Sequence, residues 1–193
     1  MRIREITLAS ASPRRLDLLR SIGLDVAVVP SAYDEPAIEN ASPRELAIVH
    51  AREKARDVFL RRKDHVIVAA DTVVDVDGVA FGKPRDANDA QNMLRILSGR
   101  YHIVHTAFTV IDPATRREDE GVESTSVRFF ALSENEISTY VASGEPMDKA
   151  GAYGIQGVSA TLVERIDGDF YTVMGFPLGR FVRTLARMGF SIS

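Results

Sequence analysis

The run HVIVAADTVV, from His65 to Val74, limits this chain more than any other stretch. His65 to Ala70 is nearly continuously apolar, with no alternation of apolar and polar positions. A strand of that kind is buried on both faces. Asp71 follows it at once. A carboxylate there is costly unless it is paired, hydrogen-bonded or metal-bound. The end of a buried strand is also where open α/β sheets commonly do chemistry. Two readings of Asp71 stand side by side: a functional acid, or a structural aspartate taking backbone hydrogen bonds in a turn.

The flanking patterns supply the other elements. Ile6 to Ala9 reads as a first strand, with Ser12 as helix cap and Pro13 at the first helical position. Leu16, Leu18, Leu19 and Ile22 give that helix an apolar side, and Gly23 stops it. Leu24 to Val29 is a second strand, and SAYDEPAIENAS is a loop. Ser42, Pro43 and Glu45 form a capping-box start. The helix they open buries Ala47, Ile48, Ala51, Ala55, Val58 and Phe59 at helical spacing. VVDVDGVAF is a hairpin turning at Asp77 and Gly78. Asp86 caps a third helix that ends near Gly99.

IVHTAFTVI and VESTSVRFF alternate as strands around the polar turn DPATRREDEG. Ser133 and Glu136 make a second capping box, closed by Gly144. ATLVERI, an Asp167-Gly168 turn and FYTVM follow. A last helix, from about Pro177, packs through Leu178, Phe181, Val182 and Leu185. Helices mixed with both strand types predict an α/β chain around a mixed sheet.

The chain is 193 residues long, which suits one domain over 1–193. Formal net charge is -3, so no global basic footprint for nucleic acid exists. The absence of cysteine removes disulfides, thiolate metal ligands and a cysteine nucleophile. It also suits a reducing compartment. The first residues are too short and interrupted for a signal peptide, and no apolar run is long enough to span a membrane. The expectation is a cytoplasmic protein. His50, His65, His102 and His105 lack zinc spacing. GxGxxG, GxxxxGK[ST] and GxSxG signatures are missing too.

Several polar groups exceed what a fold needs. Ser10, Ser12, Arg14 and Arg15 crowd a helix start. Two cations there oppose the helix dipole, at about 0.3–1 kcal/mol each. A bound phosphate reverses that sign, because helix-start N–H groups and guanidinium forks both grip anions. The alternative is a solvated start whose arginines pair with Asp17 or other acids. Asp34 and Glu35 offer oxygen ligands suited to Mg²⁺ or Mn²⁺, or are simply solvated. Lys83 sits between Gly82 and Pro84, in a loop that holds a point charge suited to polyphosphate. Glu145 to Gly157 carries Asp148, Lys149 and three glycines. Those glycines permit close approach to a ligand, and Gln156 has the donors and acceptor to read a base edge. A plain connecting loop is the other reading.

Taken together, ASASPRR (9–15), AADTVV (69–74), GKPRD (82–86), EPMDKAGAYGIQG (145–157) and VMGFPL (173–178) resemble the Maf family of nucleoside triphosphate pyrophosphatases. The motifs fall in the expected order along nearly the whole chain. The resemblance implies the fold of inosine-triphosphate-type pyrophosphatases: an elongated mixed sheet flanked by helices, with a cleft between two lobes. It implies a divalent cation, Mg²⁺ or Mn²⁺, and homodimers. It implies cleavage between the α and β phosphates, giving monophosphate and pyrophosphate. The GIQG form is similar to the branch acting on dTTP and UTP rather than 7-methyl-GTP.

Carried onto this chain, the catalytic proton acceptor falls on Asp71 and its acidic metal partner on Glu35, with Asp148 as a further candidate ligand. Phosphate-binding cations fall on Arg14, Arg15, Lys83 and Lys149, beside Ser10 and Ser12. Positions tied to base choice fall on Arg14, Thr72 and Gln156. Met174 and Phe176 depart from the usual VGLPL, which predicts a packing difference. The rival expectation is a non-catalytic nucleotide-binding regulator of cell division that kept the cleft. No binding of nucleic acid or membrane is expected.

Overall fold

A computed structural model describes residues 1–192. In chain order the elements are β1 (Glu5–Leu8), α1 (Pro13–Ser21), β2 (Asp25–Val28), α2 (Pro43–Arg61), β3 (Val66–Val76) and β4 (Val79–Phe81). Then come α3 (Ala87–Leu97), β5 (Tyr101–Asp112), β6 (Arg117–Phe129) and α4 (Glu134–Ala142). Three short 3-10 helices follow, Glu145–Asp148, Ala150–Ala152 and Gly157–Leu162, and the chain closes with β7 (Val163–Asp167), α5 (Phe170–Met174) and α6 (Leu178–Arg187). No helix among the described residues is long and apolar enough to cross a membrane.

All strands join one mixed sheet in the order β2-β1-β3-β5-β6-β7, with β4 also on β3. β1 runs parallel to β2 and β3, and the remaining pairs are antiparallel. The expected α/β architecture, helices on a mixed sheet, is therefore what forms. β3 is buried along almost all of its length. One face packs under α2 through Ala51, Ala55, Val58, Ala69 and Val73. The other face carries two larger clusters. Phe108, Phe176 and Phe181 anchor one with α1 and α6, and Leu94, Phe129 and Tyr153 anchor the other with α3 and α4.

Local signals set the helix starts. Ser42–Glu45 and Ser133–Glu136 form complete capping boxes, and Asp86 accepts from the Asp89 N–H. Each such cap stabilises by about 0.5–2 kcal/mol. Ser12 occupies the N-cap position of α1, but its side chain makes no capping hydrogen bond.

One local expectation gives way to tertiary packing. Val182 faces solvent at 38% exposure, while Leu178, Phe181 and Leu185 are buried. FYTVM forms the helix α5, opened by Asp169, which accepts from both the N–H and hydroxyl of Thr172. The polar turn after β5 shortens to the residues between Asp112 and Arg117, since the two strands pair throughout. Phe176, at the departure from the usual motif, is fully buried against Phe108 and Phe181.

Candidate active site

A split along one edge of β3 makes the cavity. β1 pairs with its first residues, Val66 to Val68, and β4 with its last, Val74 to Val76. Between them Asp71 and Thr72 have no strand neighbour on that edge. The chain leaving β1 becomes the SASPRR turn, and the chain leaving β4 becomes Gly82-Lys83. Both therefore border the gap. The resulting cavity has a volume of about 700 Å³. Ser10, Ser12, Arg14, Arg15, Glu35, Asp71, Thr72, Lys83, Asp148, Lys149 and Gln156 all line it.

Strand alternation sends Asp71 and Thr72 to opposite faces. Asp71 points to the α2 side, where Lys54 meets it: Nζ donates to Asp71 Oδ1 at 2.6 Å and lies 2.6 Å from Glu35 Oε1. Lys54 and Asp71 are both buried, and Glu35 is half-exposed. Burial raises the Glu35 carboxyl, but the Lys54 hydrogen bond and charge, with His50 and Lys83, pull it below its ordinary value overall. Glu35 also holds a left-handed backbone, φ 53°, a conformation that costs about 1–3 kcal/mol and clusters at functional sites. Tyr33 OH and His50 Nδ1, 3.2 Å apart, border the same corner. Burial, then the acids Glu53, Glu35 and Asp71, raises the Tyr33 hydroxyl pKa.

Thr72 belongs to the opposite face. Its Oγ1 lies 3.0 Å from Thr106 Oγ1 and accepts from Arg15 Nη2 at 3.1 Å. Arg15 also donates to Gly175 O at 2.9 Å and Ser10 Oγ at 3.2 Å. It therefore ties the α1 start to β3 and to the turn after α5. Burial lowers its pKa, while Asp71 acts to raise it.

The cationic end spans the gap. Arg14 Nη1 donates to Asp148 Oδ2 at 2.9 Å, and Lys149 Nζ donates to Asp148 Oδ1 at 2.9 Å. Burial raises the Asp148 carboxyl, but hydrogen bonds from Lys149 and Arg14 bring it below its ordinary value overall. The first turn of α1 has no acidic residue and no side-chain cap, so its N–H groups keep their capacity for an anion. Gly151 N–H donates to Gly82 O at 3.0 Å, which brings the Lys83 and Lys149 segments together. Gly151 itself needs to be glycine: φ is +66°, and a Cβ would meet Val74 Cγ2 at 2.9 Å.

The site residues carried over from the family motifs thus all border one cavity, though not in one cluster, whereas Asp34 is not among the residues that line it. Asp148 serves as counter-ion to Arg14 and Lys149, and among the described residues no three His, Asp or Glu groups gather to hold a metal. Glu35 and Asp71 converge on Lys54 instead. Sequence reasoning missed Lys54, although a signal existed: it lies three residues after Ala51 and four before Val58, on the buried stripe of α2. The histidines divide. His50 borders the cavity. His102 bonds Tyr153 OH beneath the glycine-rich loop, and His105 bridges Ser124 and Asp75.

The comparisons with known proteins agree in scope. The sequence profile of the Maf-like protein family matches residues 5–188. A dTTP/UTP pyrophosphatase of Methanosarcina barkeri is 43% identical over 191 residues, 98% of this chain and 97% of that one. A dTTP/UTP pyrophosphatase of Carboxydothermus hydrogenoformans is 45% identical over 186 residues, covering 96% and 100%. Among solved structures, the Staphylococcus aureus Ham1 protein aligns with a TM-score of 0.44 at 15% identity, over 65% of this chain and 72% of that one. A profile match from residue 5 to residue 188, on motifs that meet around one cavity, makes this chain a member of the Maf-like protein family.

Proposed function

We propose that the chain hydrolyses dTTP and UTP to the nucleoside monophosphate and pyrophosphate. The observation that carries this reading is the convergence of charge on one cavity. An acid pair, Glu35 and Asp71, shares the Lys54 ammonium there, and the cations Arg14, Lys83 and Lys149 line the same cavity. The names of relatives at 43% and 45% identity over nearly the full chain support the choice of substrate.

A divalent cation, Mg²⁺ or Mn²⁺, suits the acid pair. Two carboxylates already share one positive group, the Lys54 ammonium, at 2.6 Å each, and hard oxygen donors fit these metals. Glu35 and Asp71 would hold it. When bound it supplies Lewis-acid polarisation of the α phosphate and a more acidic water.

The residues of the chain perform the rest of the mechanism. Arg14, Lys83, Lys149 and the α1 start bind the triphosphate and orient it. Asp71 accepts a proton from the attacking water. The water oxygen bonds to the α phosphorus, the α–β bridging bond breaks, and its electron pair leaves on pyrophosphate. The same cations balance the charge that grows on the leaving group. Gln156 and Thr72 contact the base end. The active species is a homodimer, which light scattering on the purified protein tests.

Product analysis over a nucleotide panel, with Mg²⁺ or Mn²⁺, tests the activity. Monophosphate with intact pyrophosphate is expected, with dTTP and UTP preferred. Two separate orthophosphates, or binding without turnover under any metal, overturns it, and the latter outcome describes a nucleotide-binding regulator.

A further inference from the structure

We infer that Ser159 is the positioning residue that sets how Gln156 meets the base, an inference that rests on the base-reading role proposed for Gln156. Gln156 stands between flexible positions, Gly154 and Gly157, the latter at φ +68°. It is exposed on the cavity wall. A side chain on such a loop selects a base only if its backbone is held, because ordering the loop on binding would cost affinity.

Ser159 provides that hold. It is fully buried, and its Oγ lies 3.2 Å from Gly154 N, 2.8 Å from Gln156 O and 3.0 Å from Glu145 Oε1. The hydroxyl has one proton and two acceptor sites. It accepts from the Gly154 N–H, and its one proton is shared between the Gln156 carbonyl and the Glu145 carboxylate, the Gln156 contact being the shorter. Through the Gly154 and Gln156 bonds both ends of the segment meet one buried atom.

Lys149 Nζ is held separately, by the Glu145 backbone oxygen and the Asp148 carboxylate, and neither bond uses the Ser159 hydroxyl. The methylenes of Lys149 in turn pack against Gly154, 3.2 Å from where a Cβ would stand. Ser159 hydrogen-bonds neither Asp71 nor Glu35, whose polar partner is Lys54. Its loss should therefore reach base recognition and spare the chemical step. Volume filling alone would make no such distinction.

The test compares UTP with ribose 5-triphosphate, which carries the phosphates without a base, on the wild type, Ser159→Ala, Gln156→Ala and the double variant. Ser159→Ala is expected to raise KM for UTP about tenfold with kcat within about twofold, and to leave ribose 5-triphosphate unchanged. The double variant is expected to be no worse than Gln156→Ala. Equal losses on both substrates, a fall in kcat at unchanged KM, or additive effects overturn the inference. A wild type that treats both substrates alike removes the base-reading role of Gln156, and this inference with it, even while pyrophosphate release stands. If Ser159→Ala does not fold, Ser159→Cys keeps the shape with a weaker donor. It should then give an intermediate, still base-dependent, KM shift, and a base-independent one overturns the proposal.

Discussion

Lys54 Nζ lies 2.6 Å from Asp71 Oδ1 and 2.6 Å from Glu35 Oε1, so one buried ammonium bridges two of the acids that line the cavity. Removing one member of a buried pair leaves uncompensated charge, at a cost of about 3–5 kcal/mol. Lys54→Met should therefore lower Tm on the order of 10 °C. Saturating Mg²⁺ or Mn²⁺ should restore part of that loss, because a cation again sits between the carboxylates. A melt of the variant that neither metal shifts would count against a metal at Glu35 and Asp71.

Asp71→Asn keeps the shape and hydrogen-bonding capacity of the side chain but cannot take a proton. We expect kcat to fall about 10²–10⁴-fold while calorimetry still detects nucleotide binding. Retention of wild-type turnover would remove Asp71 from the chemistry.

Arg14 reaches across the gap to Asp148, the carboxylate that the adjacent Lys149 also meets. As an exposed pair, Arg14–Asp148 contributes only about 0.2–1 kcal/mol to stability. Arg14→Ala should therefore leave Tm nearly unchanged and raise KM for triphosphate about tenfold or more. The rise should shrink at high salt. A Tm loss without a KM change would make the pair purely structural.

His102 is buried, with Nε2 bonded to Tyr153 OH and Nδ1 without a partner among the described residues. Burial, then the Arg100 charge, lowers its pKa from 6.5 to about 4. Between those values the unfolded chain holds a proton that the folded chain refuses, so stability rises with pH across that window and is fully present above it. The two pKa values correspond to roughly 3 kcal/mol lost by pH 4. Melting curves from pH 7 to pH 4 should show this fall, and His102→Gln should flatten it. An equally steep fall in the variant would assign the pH dependence to other groups.

Gly151→Ala combines a strained φ with a contact on Val74. A loss of about 1–3 kcal/mol in stability is expected from denaturant unfolding. It should come with weaker nucleotide binding, because Gly151 joins the Lys83 and Lys149 segments. An unchanged unfolding midpoint would show that the loop relaxes freely.

Sequence alone determined the elements whose causes are local. The Ser42–Glu45 and Ser133–Glu136 boxes, the doubly buried β3 and the glycine-rich loop depend on neighbours a few residues apart. The cost of charge in a buried or helix-start position singled out Asp71, Arg14 and Arg15 without coordinates, whereas Glu35, Lys83, Asp148 and Lys149 took their roles from the family resemblance and Lys54 was missed. Tertiary structure decided which of them meet. Lys54 reaches Asp71 across 17 residues, and Arg14 reaches Asp148 across 134. No periodicity encodes such a pairing, because it arises only when β1 and β4 share one edge of β3 and leave a gap between them. Val182 turned outward for a related reason: helical spacing gives a stripe, but the neighbouring sheet sets how wide a stripe is covered.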